Sequence, residues 1–301
     1  MTTPLSGTRF DLVHGDYRAS IASIGATLRQ LTFAGRDLVT TFDDDEVRPV
    51  FRGATLAPWP NRIVDGRYTF NGVEQQVALT EPERSHALHG LVAWTAFETV
   101  TSTESSVVLA TTIEAQDGYP HRVRVEVLFE LGEAGLYSAV TATNLGPTTA
   151  PWGTGPHPYL VAGEGRVDDW TLTLPTERVL TVTPDRLIPI VAVNVDDTDF
   201  DFREAHPIGD TFIDHAFTGI TDARVTVTAP GGTGVVMFWD DACPWVQVHT
   251  ADQPDTSSER HRSGLAVEPM TCPPDAFNSG VDLIALEPGA STTAGWTIAN
   301  L

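Results

Sequence analysis

Apolar and polar residues alternate along much of the chain, in short runs separated by glycine-containing turns. The segment 62–79, RIVDGRYTFNGVEQQVAL, places such runs around Asp65-Gly66 and Asn71-Gly72. Both dipeptides favour the positive-φ turns that join antiparallel strands tightly. The further candidate strands share this apolar, β-branched character and cover residues 105–115, 122–131, 137–145, 169–175, 223–230, 234–240, 245–250 and 291–301. The pattern predicts an all-β protein with little helix.

The same pattern bears on domain organisation. No long stretch follows the 3.6-residue period of an amphipathic helix. Proline and glycine are spread along the chain instead of collecting at one boundary, and no low-complexity linker interrupts it. A chain of 301 residues is long enough for one large β domain. We therefore predict a single domain over residues 1–301, a large antiparallel β-sandwich.

The composition limits which partners and which reactions are possible. The formal net charge of −22 argues against a nucleic-acid or anionic-membrane partner. All 18 basic residues are arginine, so lysine Schiff-base chemistry and a lysine-bearing phosphate loop are excluded. The N-terminal sequence lacks a secretory pattern, and no run approaches the roughly 20 apolar residues of a membrane helix. With only two cysteines, Cys243 and Cys272, a cytoplasmic location is expected.

Several polar residues stand in apolar, strand-like segments or beside turns, where an unpaired polar group costs a few kcal/mol. They are Asn61 and Arg62 in PWPNRI, His86 and His89 in SHALHG, His157 in GPHPYL, Asp214 in TFIDHAF, Gln247 in WVQVHT and Glu268 in LAVEPM. Pro156 and Pro158 restrict the backbone on both sides of His157. In an antiparallel sandwich, side chains from such distant segments can converge on one sheet face. These residues are the candidate site.

The order of these segments, with GRYTFNG after NRI and DGYP before HPYL, resembles the aldose 1-epimerase family, the galactose mutarotases. The resemblance extends from about residue 10 to 300. It implies a galactose mutarotase-like supersandwich, with His157 as general acid toward the sugar ring oxygen and Glu268 as general base on the anomeric hydroxyl. It further implies that the sugar is bound by Asn61, Arg62, His89, Asp214 and Gln247.

The chemistry of anomer exchange needs few groups. One base removes the O1 proton while one acid protonates the ring oxygen, and reclosure reverses both transfers. We expect the acid and the base on opposite sides of a small-molecule sugar, with no cofactor and no metal. Trp59, Trp94 and Trp152 flank the motifs and are candidates to stack on the sugar. The H-x-x-H spacing of His86 and His89 lacks a third ligand, which disfavours zinc.

Three functions stay open at this stage, because Leu91, Pro158 and His86 differ from the residues usual in the well-studied galactose mutarotases. The first is a mutarotase of a free aldohexose or a related sugar. The second is an epimerase of a charged sugar, such as a hexose 6-phosphate or a sulfonated sugar, which the net charge of −22 disfavours. The third is a non-catalytic carbohydrate-binding protein, which would not need both His157 and Glu268. The sequence does not indicate an oligomeric state.

Overall fold

The fold is built almost entirely from antiparallel strands. A computed structural model describes residues 3–196 and 198–301. Within that part of the chain, the helical segments are one short α-helix, α1 (Ala276–Ser279), and two single 3-10 turns, Pro49–Phe51 and Val167–Asp169. No helix of the described residues is long and apolar enough to cross a membrane. The prediction of little helix is confirmed.

The strands are short and follow one another in chain order. The first thirteen are β1 (Arg9–His14), β2 (Tyr17–Ala22), β3 (Thr27–Phe33), β4 (Arg36–Asp37), β5 (Thr55–Leu56), β6 (Arg62–Val64), β7 (Arg67–Phe70), β8 (Val73–Gln76), β9 (His86–Leu88), β10 (Glu98–Ser102), β11 (Ser106–Ile113), β12 (Val123–Gly132) and β13 (Gly135–Asn144). The others are β14 (Ala150–Trp152), β15 (Gly155–Pro156), β16 (Tyr159–Leu160), β17 (Thr171–Thr173), β18 (Thr176–Val182), β19 (Pro189–Asn194), β20 (His206–Pro207), β21 (Asp214–Ile220), β22 (Arg224–Thr228), β23 (Gly234–Trp239), β24 (Trp245–His249), β25 (Leu265–Met270), β26 (Ile284–Leu286) and β27 (Ser291–Asn300).

A nine-stranded sheet forms one layer, in the order β10-β11-β12-β13-β27-β23-β22-β17-β20. Its longest ladder joins β12 and β13 from Val123 opposite Asn144 to Gly132 opposite Gly135. Along β12, alternate side chains from Val123 to Leu131 are buried, because successive residues of a strand point to opposite faces. This period of two is what the sequence pattern displayed.

A six-stranded sheet, β16-β25-β24-β21-β18-β19, forms the facing layer. Val246 and Val248 of β24 lie in the same buried cluster as Val125 and Val127 of the nine-stranded sheet. The side chains between them, on the other face of β24, point away from this core. A four-stranded sheet (β1 to β4) and the ladders β5–β15, β6–β9, β7–β8 and β14–β26 surround the two layers. The predicted antiparallel sandwich is confirmed.

Most of the predicted strands coincide with observed ones, but several observed strands lie outside the predicted ranges. Among these are β10, β18 and β19. The five residues of β10 are all exposed, and most of β19 is exposed too, so neither carries a one-sided apolar pattern. The assignment of residues 1–301 to one domain stays a prediction. It is supported by a continuous buried cluster that runs from Leu12 to Ile298.

Candidate active site

A cleft of about 440 Å³ opens on the outer face of the six-stranded sheet. Its lining brings together the seven residues for which the family resemblance implied a catalytic or sugar-binding role: Asn61, Arg62, His89, His157, Asp214, Gln247 and Glu268. These residues come from six separate segments of the chain. Only the tertiary fold makes them neighbours.

Strand register places three of the polar side chains in a row. Gln247 of β24 lies directly opposite Glu268 of β25, and Ala216 of β21 lies opposite Gln247 on the other side. Asp214, two residues before Ala216, therefore points to the same face. The Gln247 Nε2 atom donates a 2.7 Å hydrogen bond to Asp214 Oδ1. The apolar face of the same strands is buried against the core, which fixes this register.

His157 and Glu268 lie side by side at the floor of the cleft. The distance from His157 Nε2 to Glu268 Oε1 is 3.4 Å, and both side chains are buried, with exposed fractions of 7% and 2%. We expected acid and base on opposite sides of the sugar, and the structure corrects this. The adjacent placement suits the chemistry, because the ring oxygen and the anomeric oxygen are bonded to one carbon.

The backbone of His157 is held from both directions. Its N–H donates to Ala54 O at 3.0 Å, and its carbonyl accepts from Gly53 N at 2.8 Å. Pro156 pairs in β15 with Thr55 of β5. The imidazole stacks on Tyr159, with ring centroids 5.1 Å apart at an angle of 22°. Pro156 and Pro158 thus belong to a hydrogen-bonded backbone segment that holds the His157 imidazole in place.

Arg62 is held by a carboxylate that the sequence reasoning missed. Its Nε and Nη2 atoms donate to Glu81 Oε2 and Oε1 at 2.7 and 3.0 Å, a bidentate pair, while its Nη2 lies 3.9 Å from Asp214 Oδ2. Arg84 Nη1 binds the same Glu81 Oε1 at 2.9 Å. Burial raises the pKa of Glu81, but the hydrogen bonds from Arg62 outweigh burial and lower it below its usual range. Glu81 stands in the charged run EPER, which in sequence resembles a solvated loop.

His89 is positioned by a tight backbone contact. Its N–H donates to Asn61 O at 2.8 Å. His89 and Gly90 both have positive φ angles, 62° and 75°. A Cβ atom on Gly90 would lie 2.0 Å from the carbonyl oxygen of Ala57, so glycine is required there. The His89 ring meets the His157 ring edge to face, with centroids 5.0 Å apart.

Burial shifts the pKa values of Glu268 and His157 in opposite directions. It raises the pKa of Glu268 well above its usual range, and the nearby Asp214 carboxylate adds to this effect while Arg62 opposes it. Burial lowers the pKa of His157 to about 3, with His249 acting in the same direction. Asp214 differs: burial raises its pKa, but His249, Arg62 and the Gln247 hydrogen bond outweigh burial, and the pKa is lowered. Asp214 is therefore a carboxylate, whereas Glu268 and His157 favour their neutral forms.

Four buried polar atoms of the cleft have no hydrogen-bond partner among the described residues. They are His89 Nδ1, His157 Nδ1, Gln247 Oε1 and Glu268 Oε2. Buried polar groups are normally paired, because an unpaired one costs about 1–3 kcal/mol. Four such atoms in one cleft mark it as a candidate binding site for a polar ligand.

The structure corrects the sequence-based choice of aromatic residues. Trp59 and Trp152 are buried in the core, and Trp94 lines a different cavity. The aromatic side chains of the cleft are instead Phe51, Tyr159 and Phe212. Proximity in sequence to the motifs was a poor guide, because none of the three tryptophans shares a strand with a site residue.

His86 and Cys272 do not line the cleft. His86 is fully buried, and its Nε2 atom lies 2.8 Å from Arg186 O, which gives it a structural contact. Cys272 is buried as well, and burial raises the pKa of its thiol to about 12. Within residues 3–196 and 198–301, no group of three or more histidine, cysteine or carboxylate side chains is arranged to hold a metal ion. His86 and His89 therefore share a spacing but not a site.

Fold and site together define a β-sandwich protein with an open, polar cleft. A family model described as aldose 1-epimerase matches residues 8–299. The chain therefore belongs to the aldose 1-epimerase family. The family resemblance seen in the sequence is confirmed.

The chain is also similar to individual proteins of known sequence or structure. The chain is 38% identical over 286 residues to the uncharacterized protein YihR of Escherichia coli (strain K12), with 94% of this chain and 90% of YihR covered. It is 27% identical over 318 residues to the galactose mutarotase of Bos taurus, covering 93% and 90% of the two chains. Among solved structures, the GalM/aldose epimerase homologue from C. elegans superposes with a TM-score of 0.85 at 20% identity, covering 98% and 99%. The galactose 1-epimerase from Lactobacillus acidophilus NCFM gives 0.82 at 16% identity, covering 97% and 94%.

Proposed function

We propose that this protein is a mutarotase that interconverts the α and β anomers of a free, uncharged aldohexose. The observation that carries the proposal is the buried pair of His157 and Glu268, 3.4 Å apart, in a cleft that contains unpaired polar atoms. Binding of a sugar alone would not need an ionisable acid and base at this distance. A positioned acid or base contributes about 10²–10⁴-fold to a rate.

Glu268 acts as the base on the O1 hydroxyl and His157 as the acid toward the ring oxygen. As Glu268 takes the O1 proton, a C1–O1 double bond forms, the bond from C1 to the ring oxygen breaks, and His157 gives that oxygen a proton. Rotation about C1–C2 turns the other carbonyl face to the ring hydroxyl. The same two transfers, reversed, close the ring as the other anomer, so protons balance over the cycle.

The pair needs only one proton for this cycle. Burial favours the neutral imidazole and the protonated carboxyl in the free site. Transfer of that proton from Glu268 to His157 gives the carboxylate base and the imidazolium acid without exchange with solvent. Ring opening makes both side chains neutral again. The ligand-free site and the site that holds the open-chain aldehyde therefore have the same protonation state.

The remaining cleft residues supply contacts to the sugar hydroxyls. The polar residues that line the cleft beside the pair are Asn61, Arg62, His89, Asp214 and Gln247. The fixed geometry of Arg62 on Glu81, and of Gln247 on Asp214, limits the reorganisation that binding requires.

The charges of the cleft favour a neutral sugar over a charged one. Its lining contains five carboxyl side chains and two guanidinium groups, those of Arg62 and Arg84. Both arginines are hydrogen-bonded to Glu81, so this carboxylate offsets part of their positive charge. A charged-sugar epimerase would need an unpaired cation at this position.

Polarimetry tests the proposal. Freshly dissolved α-D-glucose and α-D-galactose are followed with and without the protein, with the buffer blank subtracted, and then with α-D-glucose 6-phosphate. We expect acceleration of at least one free hexose, loss of about 10²-fold or more in Glu268→Gln and His157→Asn, and a lower kcat/KM for the phosphate. No acceleration of any free hexose would overturn the proposed activity, and full activity in both variants would overturn the assigned roles.

A further inference from the structure

A second cavity, of about 270 Å³, lies beside the N-terminal segment and shares no lining residue with the cleft. Most of its wall is apolar and is formed by Leu5, Ala22, Ile24, Phe42, Val47 and Trp94. The polar lining residues are Ser6, Glu46 and Arg48. A cavity of this size suits a ligand smaller than a typical drug molecule.

Arg48 is a buried cation in this wall with no carboxylate partner. Only 6% of the residue is exposed, and no carboxylate of the described residues forms a salt bridge with it. Burial lowers the pKa of its guanidinium to about 10, so it stays charged at neutral pH. A buried charge without a counter-ion is costly, and removal of one partner from a buried pair typically costs about 3–5 kcal/mol. The site therefore has one uncompensated positive charge.

Hydrogen bonds to one side chain and one backbone carbonyl hold the buried Arg48 side chain in place. Its Nη1 atom donates to Thr27 Oγ1 and its Nη2 atom to Ala93 O. Its guanidinium lies over the Trp94 ring, 4.4 Å from the ring centroid. These contacts fix the guanidinium, but they leave the Nε donor without a partner.

A second donor on the same wall is also unpaired. Ser6 Oγ is buried and has no hydrogen-bond partner among the described residues. Arginine can only donate, and a serine hydroxyl donates as readily as it accepts. An acceptor that carries a negative charge satisfies both groups and supplies the counter-ion of Arg48.

The acidic residue of the wall, Glu46, is already paired with another arginine. The Glu46 carboxylate forms a salt bridge with Arg260, so it does not neutralise Arg48. The mouth of the cavity is apolar, and Leu5, Val47 and Trp94 are all more than half exposed. Exposed large apolar side chains grouped at one cavity are typical of a binding site.

We infer that this cavity, between Ser6, Arg48 and Trp94, binds a small organic monocarboxylate. The carboxylate accepts from Arg48 Nε and Ser6 Oγ, and the aliphatic or aromatic body packs on Trp94 and Val47. This site shares no lining residue with the sugar cleft, and the inference does not rest on the proposed mutarotase activity.

Calorimetry with benzoate as the probe tests the site on the full-length chain. Benzamide, which has the same shape without the charge, is the matched ligand. The variants are Ser6→Ala and Arg48→Lys, which retains the charge but loses Nε as a donor in that position. Arg36→Lys is the control, because Arg36 also donates to backbone carbonyls, those of Ala162 and Gly234, away from this cavity. Thermal unfolding checks that every variant is folded.

We expect saturable binding of benzoate, binding of benzamide at least about tenfold weaker, and a loss of about tenfold in each of the two cavity variants. The control should bind benzoate as the unmodified protein does. Absence of saturable benzoate binding, equal affinities for benzoate and benzamide, or unchanged affinity in both cavity variants would overturn the inference. In those cases Arg48 serves only to hold the backbone at Ala93 and Thr27.

Discussion

Replacement of Glu268 by glutamine is expected to inactivate the site and to stabilise the fold at alkaline pH. The side chain is 2% exposed, its Oε2 atom has no partner, and burial raises its pKa well above the usual range. A raised pKa means that the folded protein binds the proton more tightly than the unfolded chain does. The stabilisation from this group is therefore complete below about pH 4.3 and is lost as the pH rises through the folded-state value.

The magnitude follows from the size of the elevation, since each unit is worth about 1.4 kcal/mol. Glutamine does not titrate, so the free energy of unfolding of Glu268→Gln should rise relative to the unmodified protein between pH 5 and pH 8. We take about 1.4 kcal/mol as the smallest relative gain that supports the argument, which for a chain of this size corresponds to roughly 2 °C or more in Tm.

Denaturant unfolding and thermal melts at both pH values measure this difference, and polarimetry on the same samples measures activity. Glu130→Gln is the matched control, because Glu130 lies on the exposed face of β12. The same stability difference at pH 5 and pH 8, or a variant less stable than the unmodified protein at pH 8, would refute the assignment of an uncompensated buried carboxyl group.

Three further predictions concern neighbouring residues. Burial lowers the pKa of His157 to about 3, so the acid limb of the rate profile should lie well below pH 6.5. Because the unfolded chain binds this proton more readily than the folded protein does, acidification below about pH 6.5 should destabilise the unmodified protein. His157→Asn should relieve that loss of stability. Glu81→Gln, which weakens the bidentate hold on Arg62, should lower kcat/KM about tenfold, mostly through KM, as measured by initial-rate polarimetry. Gly90→Ala should cost about 2 kcal/mol or more in denaturant unfolding, because its Cβ would overlap the Ala57 carbonyl oxygen at positive φ.

Each of these has a clear contrary result. An acid limb centred near 6.5, the value of an unperturbed imidazole, would contradict the buried neutral His157. For Glu81, the control is Glu83→Gln on the exposed rim of the same cleft, and equal effects of the two substitutions would remove the positioning role. For Gly90, the control is Gly72→Ala, where a Cβ meets nothing within 4 Å but φ is also positive, and an equal loss there would show that backbone conformation alone is responsible.

The sequence was most informative where one face of a strand is buried. In β12 the alternation of buried and half-exposed residues is complete, so its period of two could be recognised without a structure. In β19, Ile190 and Val191 are adjacent and both exposed at the sheet edge, and no alternation marks the strand. An edge strand pairs with a neighbour on one side only. Which strand it pairs with depends on the tertiary fold and is not visible in the local sequence.

The candidate site could be predicted where polar residues interrupt apolar strands, as Gln247 and Glu268 do. Glu81 could not be predicted as a site residue, because it stands among charged and turn-forming residues, where a carboxylate is usually exposed to solvent. Its role depends on two hydrogen bonds to Arg62 across a loop, and nothing in the local sequence reports them. The placement of Arg48 behind Trp94 is hidden for the same reason.

The pairing of Gln247 with Glu268 on adjacent strands has a consequence for how the chain reaches its fold. A shift of β25 by one residue would turn Glu268 toward the apolar layer and bring Val267 out into the cleft. A carboxyl group between the two sheets costs several kcal/mol, even in its neutral form. The polar groups of the cleft therefore also oppose misregistered assembly of the sheet, since a shifted register would make the fold less stable.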